Sequence, residues 1–424
     1  MKLLFIAHRL PYPPHKGEKI RALNILKFLA AQHTVHLVSL AEEAQDLRDL
    51  AALQPYVRSV TVQRVRPRLR RLLALSALWS GQAVSSRYFH SQALQRRVDD
   101  LIEREGIEGI FCSSSPTGEY VFRSRHAARL RSLPKFMDLI DVDSAKWREF
   151  AHQSGIGSAW LYRREARHLA ALEQRLGREF DQLLLVSEAE RKYLDAASAA
   201  RTQVVANGVD LEYFAPGQGQ PAQEPGAALV FTGVMDYRPN VEGICWFVRE
   251  VLPRVRTRCP HVRLYIVGRH PNRAIRRLAR VPGIVVTGIV PDVRDYLVRG
   301  VCIVPLWIAR GIQNKVLEAM AMGRPIVLTP PALEGIDAQP GRDVLLARDA
   351  EAFAEKTVQL LEDPRRAGAL GAAARKQAET RYAWPQILRG LADLPSGAAG
   401  PLREGAPDSR LIRSDGVQPV TRAS

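Results

Sequence analysis

The sequence predicts an α/β protein built from two doubly wound domains, each with a parallel β-sheet between layers of helices. Short apolar runs rich in Leu, Ile and Val alternate along the chain with longer amphipathic stretches. Such runs are typical of strands that are covered on both faces, as in parallel sheets. The alternation restarts after the turn signal at residues 207–210, and this restart predicts a second domain.

Each apolar run is a candidate strand and each amphipathic stretch is a candidate helix. The predicted strands are residues 3–7, 35–40, 107–112, 136–140, 182–186, 229–231, 262–267, 284–286, 301–304 and 326–328. Helical periodicity predicts helices at residues 20–31, 92–105, 160–178, 241–258 and 313–322.

Composition also predicts the domain boundaries. Residues 1–205 form the first predicted domain, and residues 227–393 form the second, which ends in closing helices. Residues 206–226 are a predicted linker, because Pro, Gly and Gln dominate its second half. Residues 394–424 have little apolar periodicity and are a predicted disordered tail. Two such domains are expected to form a cleft, with ligands beyond the carboxyl ends of the strands.

Composition excludes several classes of protein. Of 424 residues, 46% are hydrophobic and 25% are charged, so the chain is not wholly disordered. No apolar run approaches the roughly 20 residues of a bilayer-spanning helix. The apolar start of the chain indicates a buried first strand, not a signal peptide. The four cysteines lie far apart with no CxxC pair, so neither disulfides nor a zinc site is expected, and a reducing cytoplasm fits.

The chain is basic, with 61 Lys and Arg against 44 Asp and Glu and a formal net charge of +17. Nucleic acid, an anionic membrane surface or a phosphorylated substrate could be the partner, and genomic bias also explains the excess. The segment 64–79 opens with five arginines, beginning at Arg64, and ends in leucines and Trp79. It is either an interfacial helix on anionic lipid or a solvated charge run before a buried helix. Nucleic acid is not expected, because no zinc finger or RNP motif is present.

The segment 309–323 is the most informative for chemistry. Gly311 permits close approach to a helix that begins near Gln313, and a helix start suits a diphosphate. Lys315 adds a point charge, and Glu318 on the same face could accept both hydroxyls of a ribose. A surface Lys–Glu pair is the alternative. The candidate donor-binding residues here are Gln313, Asn314 and Glu318, with Lys315 as a candidate catalytic cation.

Two other strand ends in the carboxy half carry a related signature. Gly233 follows one predicted strand, and Gly268 with Arg269 follows the next. A glycine at such a place lets a ligand approach the backbone. Arg238 and Asn240 add hydrogen-bond donors before the next helix, with Arg238 as a candidate catalytic residue. The alternative is a turn capped by the Pro-Asn pair.

In the amino half, a proline-rich loop after the first strand delivers Gly17 to a predicted helix start. Gly17, Lys19 and Arg21 could line the cleft, and a solvated loop is the alternative.

Asp141 and Asp143 form an Asp-x-Asp pair directly after another predicted strand. The pair could hold a divalent metal, place one carboxylate beside a reacting hydroxyl, or cap the next helix. The favoured interpretation is a catalytic Asp141 that faces the cleft, with Asp143 or Ser144 as the cap.

Together these motifs resemble the GT-B glycosyltransferases of the retaining family 4. The resemblance spans about residues 1–390, and the carboxy half carries it most strongly, through residues 233–240, 267–269, 315–321, 325–329 and 334–336. Within that family, residues 9–17 and 309–323 resemble the sugar transferases associated with PEP-CTERM/exosortase exopolysaccharide loci.

The resemblance implies two Rossmann-like domains facing a cleft, with the nucleotide sugar held mainly by the carboxy domain. It implies that Glu318 binds the donor ribose, that Lys315 binds the diphosphate, and that Gly17 lies near the same diphosphate. No cofactor and no metal are expected beyond the nucleotide sugar itself.

Three positions depart from the family pattern. Arg310 stands at the first glutamate of the E-x7-E motif. Val234 stands where an arginine is common, so Arg238 could substitute for it. Asp141 lies near the place of the amino-domain histidine of the family.

The implied reaction transfers a hexose to the hydroxyl of a saccharide or lipid-linked saccharide, with retention, in exopolysaccharide or cell-surface glycan assembly. Lys315, Arg238 or Arg269 and helix-start N–H groups would stabilise the departing diphosphate. A cytoplasmic enzyme at the inner face of the membrane is expected. Three other functions stay open: a UDP-sugar 2-epimerase, a non-catalytic protein that binds sugar nucleotides or polysaccharide, and a membrane-surface assembly factor.

Overall fold

The computed structural model describes residues 1–152, 154–219, 227–309, 311–391 and 412–414. They divide into two compact units, Met1–Val205 with Gly390–Ser424, and Ala206–Arg389. Each unit is organised around one parallel sheet flanked by helices. The predicted α/β fold of two parallel-sheet domains is therefore confirmed.

The sheet of the first unit has its strands in the order β3-β2-β1-β4-β5-β6-β7, all parallel. The strands are β1 Lys2–Ala7, β2 Thr34–Ala41, β3 Ser59–Arg64, β4 Gly109–Ser113, β5 Lys135–Ile140, β6 Gln182–Leu185 and β7 Thr202–Val204. The helices are α1 Gly17–Ala30, α2 Ala44–Arg48, α3 Pro67–Ala74, α4 Val84–Phe89, α5 Gln92–Arg104, α6 Gly118–Phe122, α7 Ala127–Arg131, α8 Asp143–His152, α9 Ile156–Glu179, α10 Glu188–Arg191 and α11 Ala196–Ala200. Short 3-10 turns cover Leu50–Tyr56, Leu75–Leu78 and Ser115–Thr117.

Two buried ion pairs fix α1 in the first unit. The Arg21 guanidinium donates to the Asp138 carboxylate of β5 at 2.9–3.0 Å, and both side chains are fully buried. Arg21 Nη1 also donates to the carbonyl of Val205 at 2.7 Å. Lys19 donates to Asp46 at 2.6 Å, again out of contact with solvent. The expectation that Lys19 and Arg21 line a ligand cleft is therefore corrected, because both cations form buried ion pairs within the unit.

The sheet of the second unit is parallel, in the order β10-β9-β8-β11-β12-β13. The strands are β8 Ala228–Thr232, β9 Arg263–Val267, β10 Ile284–Gly288, β11 Val301–Val304, β12 Ile326–Leu328 and β13 Leu345–Leu346. The helices are α12 Arg238–Trp246, α13 Leu252–Arg258, α14 Arg273–Leu278, α15 Arg294–Leu297, α16 Asn314–Ala321, α17 Pro330–Leu333, α18 Ala350–Glu362, α19 Pro364–Arg381 and α20 Trp384–Leu388. A π-helical turn, Phe247–Val251, joins α12 to α13. A 3-10 turn, Arg389–Leu391, begins at the last residue of this unit and continues into the first unit.

The described part of the predicted linker, residues 206–219, packs as part of the second unit. A Cβ on Gly208 would lie 2.7 Å from the Trp384 ring, so the backbone is pressed against that side chain. Arg375 Nη1 donates to the carbonyls of Phe214 and Ala321, at 2.6 Å each. This stretch is therefore a structural element and not a free connection.

The end of the chain differs from the predicted boundary at residue 393. Gly390 groups with the first unit, where its carbonyl accepts a hydrogen bond from Gln203 at 2.6 Å. Within the predicted tail 394–424, the strand β14 Ile412–Ser414 pairs with β3 in parallel. The other residues of that tail lie outside the described residues.

Strand order reverses beside the first strand of each sheet. β1 lies between β2 and β4, and β8 lies between β9 and β11. Ligands of doubly wound sheets bind at such switch points, beyond the carboxyl ends of the strands. In the part of the chain that the structure describes, no helix is long and apolar enough to cross a bilayer.

Candidate functional site

Four of the predicted residues come together at the switch point of the second sheet. Gly233 follows β8, Gly268 follows β9, Asn240 lies in the first turn of α12, and Lys315 lies in the first turn of α16. Lys315 Nζ donates to Asn240 Oδ1 at 2.6 Å. Asn240 Nδ2 donates to the carbonyl of Val234 at 2.9 Å, which holds the loop after β8 in place. In the sequence these groups belong to three separate motifs, and the sheet brings the motifs together.

Backbone crowding requires glycine at two of these positions. A Cβ on Gly268 would lie 1.6 Å from the carbonyl oxygen of Gly233, which no side chain can tolerate. A Cβ on Gly233 would lie 2.7 Å from Asn240 Nδ2 and 3.0 Å from Lys315 Nζ. Both glycines also have positive φ, +153° at Gly233 and +150° at Gly268. The loops after β8 and β9 therefore pack backbone against backbone beside the Lys315 ammonium.

The helix α16 begins and ends as its sequence predicts. Gln313 is its N-cap in extended backbone, and the Gln313 side chain makes no capping hydrogen bond. Asn207 Nδ2 donates to Asn314 Oδ1 at 3.0 Å and so orients the first residue of the helix. Gly323 has a φ of +62°, and its N–H donates to the Met320 carbonyl at 2.9 Å. A glycine in this left-handed backbone conformation is a common way to end a helix.

Burial perturbs the two ionisable groups of α16. Burial lowers the pKa of Lys315 to about 7, and the neighbouring Glu318 carboxylate opposes that change. Burial raises the pKa of Glu318 to about 7, and Lys315 opposes it. Lys315 Nζ also lies 4.6 Å from the centre of the Phe231 ring. The alternative of an ordinary surface Lys–Glu pair is therefore corrected, since both side chains are partly buried and have shifted pKa values.

The two predicted arginines, Arg238 and Arg269, make contacts that differ from those of Lys315. Arg238 Nε donates to Glu242 at 2.7 Å on the outside of α12, with 41% of the Arg238 side chain exposed. The structure does not bring it to the Lys315 ammonium. Arg269 is partly buried after β9, and its carbonyl accepts from Met235 at 2.8 Å. The roles of both arginines stay predictions, and Arg310 lies outside the described residues.

The first unit also gathers polar groups at its switch point. His8 directly follows β1 and is buried, and its Nδ1 lies 3.3 Å from the carbonyl oxygen of Ser113 at the end of β4. Burial, with a smaller effect from the Arg9 charge, lowers the pKa of His8 to about 4. His8 is therefore a neutral imidazole at physiological pH. Its place after the first strand was the sequence signal that could have identified it.

Asp141 lies after β5 on a strained backbone. The preceding Ile140 has a φ of +70°, which is costly for a β-branched residue. The N–H of Val142 donates to Glu190 at 2.9 Å, and the N–H of Ser144 donates to Glu173 at 2.9 Å. The expected capping of α8 by its own aspartate or serine is therefore corrected, because glutamates from α9 and α10 hold these N–H groups.

The carboxyl group of Asp141 is poised to exchange a proton near neutral pH. Burial raises its pKa to about 7, and the nearby Glu190 and Asp143 carboxylates add to the effect. Among the described residues, none donates a hydrogen bond to its buried Oδ1. Asp143 differs, because its Oδ2 accepts from Ser115 Oγ at 2.9 Å. Asp141 therefore carries a buried carboxylate oxygen that no described residue satisfies.

Candidate metal ligands are not clustered in the described ranges. Within them, no group of three or more His, Cys, Asp or Glu side chains is placed to hold a metal ion. Gly17 starts α1, as expected. The proposed contact of Gly17 with a diphosphate stays a prediction.

These two parallel-sheet units form the fold of GT-B glycosyltransferases. Residues 226–363 match the family model described as Glycosyl transferases group 1. A comparison with curated protein sequences finds no match.

Solved structures with this fold are similar over most of their length. Sucrose-phosphate synthase from Thermosynechococcus elongatus is 17% identical with a TM-score of 0.67, over 93% of this chain and 98% of that one. Anabaena HepE in complex with UDP-glucose is 14% identical with a TM-score of 0.63, over 93% and 99% of the two chains. WaaG, a glycosyltransferase involved in lipopolysaccharide biosynthesis, is 15% identical with a TM-score of 0.63, over 93% and 100%.

Proposed function

We propose that the protein is a retaining glycosyltransferase of family 4, in the group associated with PEP-CTERM/exosortase loci. It moves a hexose from a nucleotide diphosphate sugar to a saccharide or lipid-linked saccharide on the cytoplasmic face of the membrane, in exopolysaccharide or cell-surface glycan assembly. The observation that carries the proposal is the cluster of Lys315, Asn240 and Gly233 beside Glu318, at a switch point of the sheet. The family match over 226–363 and the UDP-glucose complex of HepE support it.

The second unit supplies the donor site in this proposal. The Lys315 ammonium faces the diphosphate, and the first N–H groups of α16 add their dipole. Glu318 accepts hydrogen bonds from the ribose hydroxyls. Negative charge grows on the diphosphate as the glycosidic bond breaks, and a charge-assisted donor at that place is worth about 2.7–4 kcal/mol of barrier. In this proposal Lys315 and Arg269 serve this role, and Arg238 does not, because Glu242 holds Arg238 on the outside of α12.

The first unit supplies the acceptor chemistry in this proposal. Asp141 orients the attacking hydroxyl and accepts its proton, for which a pKa of about 7 is suited. Its Oδ1, which accepts no hydrogen bond from the described residues, is the atom that makes this contact in the proposal. Positioning and charge stabilisation then carry the reaction without a protein nucleophile.

A thermal-shift screen with UDP, GDP and ADP sugars identifies the donor, because a ligand of the native state raises apparent stability. Lys315→Ala and Glu318→Ala should each lower donor affinity or turnover by about tenfold or more. Lys376→Ala and Glu379→Ala are matched controls, since they remove an exposed Lys and Glu at the same spacing on α19. Unchanged kinetics in both α16 variants would place the donor site elsewhere.

The alternative functions can be distinguished by the product that forms. Donor alone gives an epimer if the protein is a 2-epimerase, whereas donor with acceptor gives a new glycoside if it is a transferase. A protein that shows a donor-induced thermal shift but forms neither product is a binding protein.

A further inference from the structure

Large apolar side chains of the first unit face outward on one short segment. Leu72 is 67% exposed and Trp79 is 85% exposed. Leu69, Leu73 and Leu75 on the same segment are also exposed. The residues that α3 and the following turn bury are small, Ala74 and Ala77. Packing within the unit therefore accounts for the alanines and leaves the leucines and the tryptophan without a role in the core.

The sequence around this segment carries only positive charge. Residues 50–98 contain nine arginines and no Asp or Glu. Arg66, Arg68 and Arg71 are exposed, and within the described ranges no carboxylate pairs with them. Arg68 and Arg71 each stand one position before an exposed leucine. Positive charge and apolar surface therefore lie side by side on α3.

Helix α9 holds the carboxyl end of this segment and the residues that follow it. Arg164 donates to the carbonyls of Ala77 and Gln82 at 2.5 and 3.1 Å. The neighbouring Glu165 accepts from the N–H groups of Val84 and Ser85 at 2.6 and 2.8 Å. Trp160, one turn earlier on α9, is 62% exposed. The outward leucines are therefore presented on a preformed support.

We propose that this interfacial surface, Leu69, Leu72, Leu73, Leu75 and Trp79, docks on a bilayer that contains anionic lipids. The apolar side chains enter the boundary between head groups and acyl chains, and the flanking arginines contact the lipid phosphates. An anionic bilayer complements both features at once, whereas the segment itself offers no acidic group for a basic partner. The inference rests on the proposed function, in which the acceptor lies at the cytoplasmic face of the membrane, and it adds the surface by which the enzyme reaches that acceptor.

Vesicle flotation with the full chain tests the docking. We expect binding to vesicles of phosphatidylcholine mixed with phosphatidylglycerol, weak binding to phosphatidylcholine alone, and loss of binding at high salt. Leu72→Ser with Leu73→Ser should weaken binding roughly tenfold or more. Ile289→Ser, which removes a 70% exposed side chain from the second unit, should leave it unchanged.

The arginines are tested in the same way. Changing Arg66, Arg68 and Arg71 together to Gln should weaken binding to the anionic vesicles roughly a hundredfold. Changing Arg277, Arg280 and Arg365 to Gln is the control of equal charge on the second unit. All variants should keep the thermal shift with nucleotide sugar, so failure of docking is distinguishable from failure of the donor site.

Two outcomes would overturn the proposal. One is equal binding of wild type and the Leu72, Leu73 variant to anionic vesicles. The other is a lipid-free dimer in sedimentation that this variant abolishes, with no vesicle binding by either protein, since a second copy would then cover the surface.

Discussion

Moving the pH away from neutrality in either direction should weaken binding of the nucleotide sugar. Burial brings the pKa values of Lys315 and Glu318 both to about 7 in the unoccupied site. A diphosphate favours the ammonium form, so the pKa of Lys315 rises on binding and affinity is lost as the pH climbs above 7. Ribose hydroxyls favour the carboxylate, so the pKa of Glu318 falls on binding and affinity is lost as the pH drops below 7.

The size of the effect follows from these values. Each group alone changes affinity by up to about tenfold per pH unit beyond its free pKa. With both groups half-ionised at neutrality, binding at about pH 5.5 or about pH 8.5 should be about eightfold weaker than at about pH 7. Isothermal titration calorimetry measures this with the nucleotide sugar selected in the thermal-shift screen, whose diphosphate stays ionised over the range.

Two variants separate the limbs of the profile. Glu318→Gln should leave only the loss at high pH, moved to lower pH because Glu318 holds the pKa of Lys315 up. Lys315→Gln should leave only the loss at low pH, moved to higher pH because Lys315 holds the pKa of Glu318 down. A flat wild-type profile, or limbs displaced the other way, would refute the assignment of these residues to ribose and diphosphate.

Three further predictions concern the two units. Asp141→Asn should lower turnover roughly 10²–10⁴-fold in steady-state kinetics while calorimetry shows unchanged affinity for the nucleotide sugar, and a matching loss of affinity would contradict the proton-acceptor role. Gly268→Ala should lower the melting temperature and donor affinity together, because its Cβ would meet the Gly233 carbonyl oxygen at 1.6 Å; an unchanged scan would mean that the two loops can separate. Arg21→Met should cost roughly 3–5 kcal/mol in urea unfolding, and adding Asp138→Leu should restore most of it, whereas equal losses would argue against an unpaired buried charge.

Central strands can be predicted from the sequence because both of their faces are apolar. The predicted strand at residues 301–304 matches β11, and the other central strands lie within a few residues of their predictions. The missed strands β3, β7, β13 and β14 lie toward the edges of their sheets or are very short. β3 alternates buried and partly exposed residues, because one of its faces is less covered. Its sequence therefore contains no continuous apolar run that would predict a strand.

Site residues that directly follow a strand could be predicted from the sequence. The glycines after parallel strands identified Gly233 and Gly268 as candidates, and the structure brings them together because the carboxyl ends of such strands share one edge of the sheet. Partners that are remote in sequence were not predictable. Arg21 resembled a ligand contact after a glycine loop, yet its partner Asp138 lies 117 positions away. Glu173 and Glu190, which hold the start of α8, give no local signal near Asp141.

The packing of residues 206–219 decides where the donor half of the protein can be cut. Arg375 donates to the carbonyls of Leu211, Phe214 and Ala321. A truncation that begins at Ala227, as composition suggests, would remove the first two of these carbonyls and keep only that of Ala321. It would also uncover Trp384, on which the Gly208 backbone rests. An expression fragment spanning 206–389 keeps these contacts, and it is the smallest piece of this chain on which isolated nucleotide-sugar binding should be attempted.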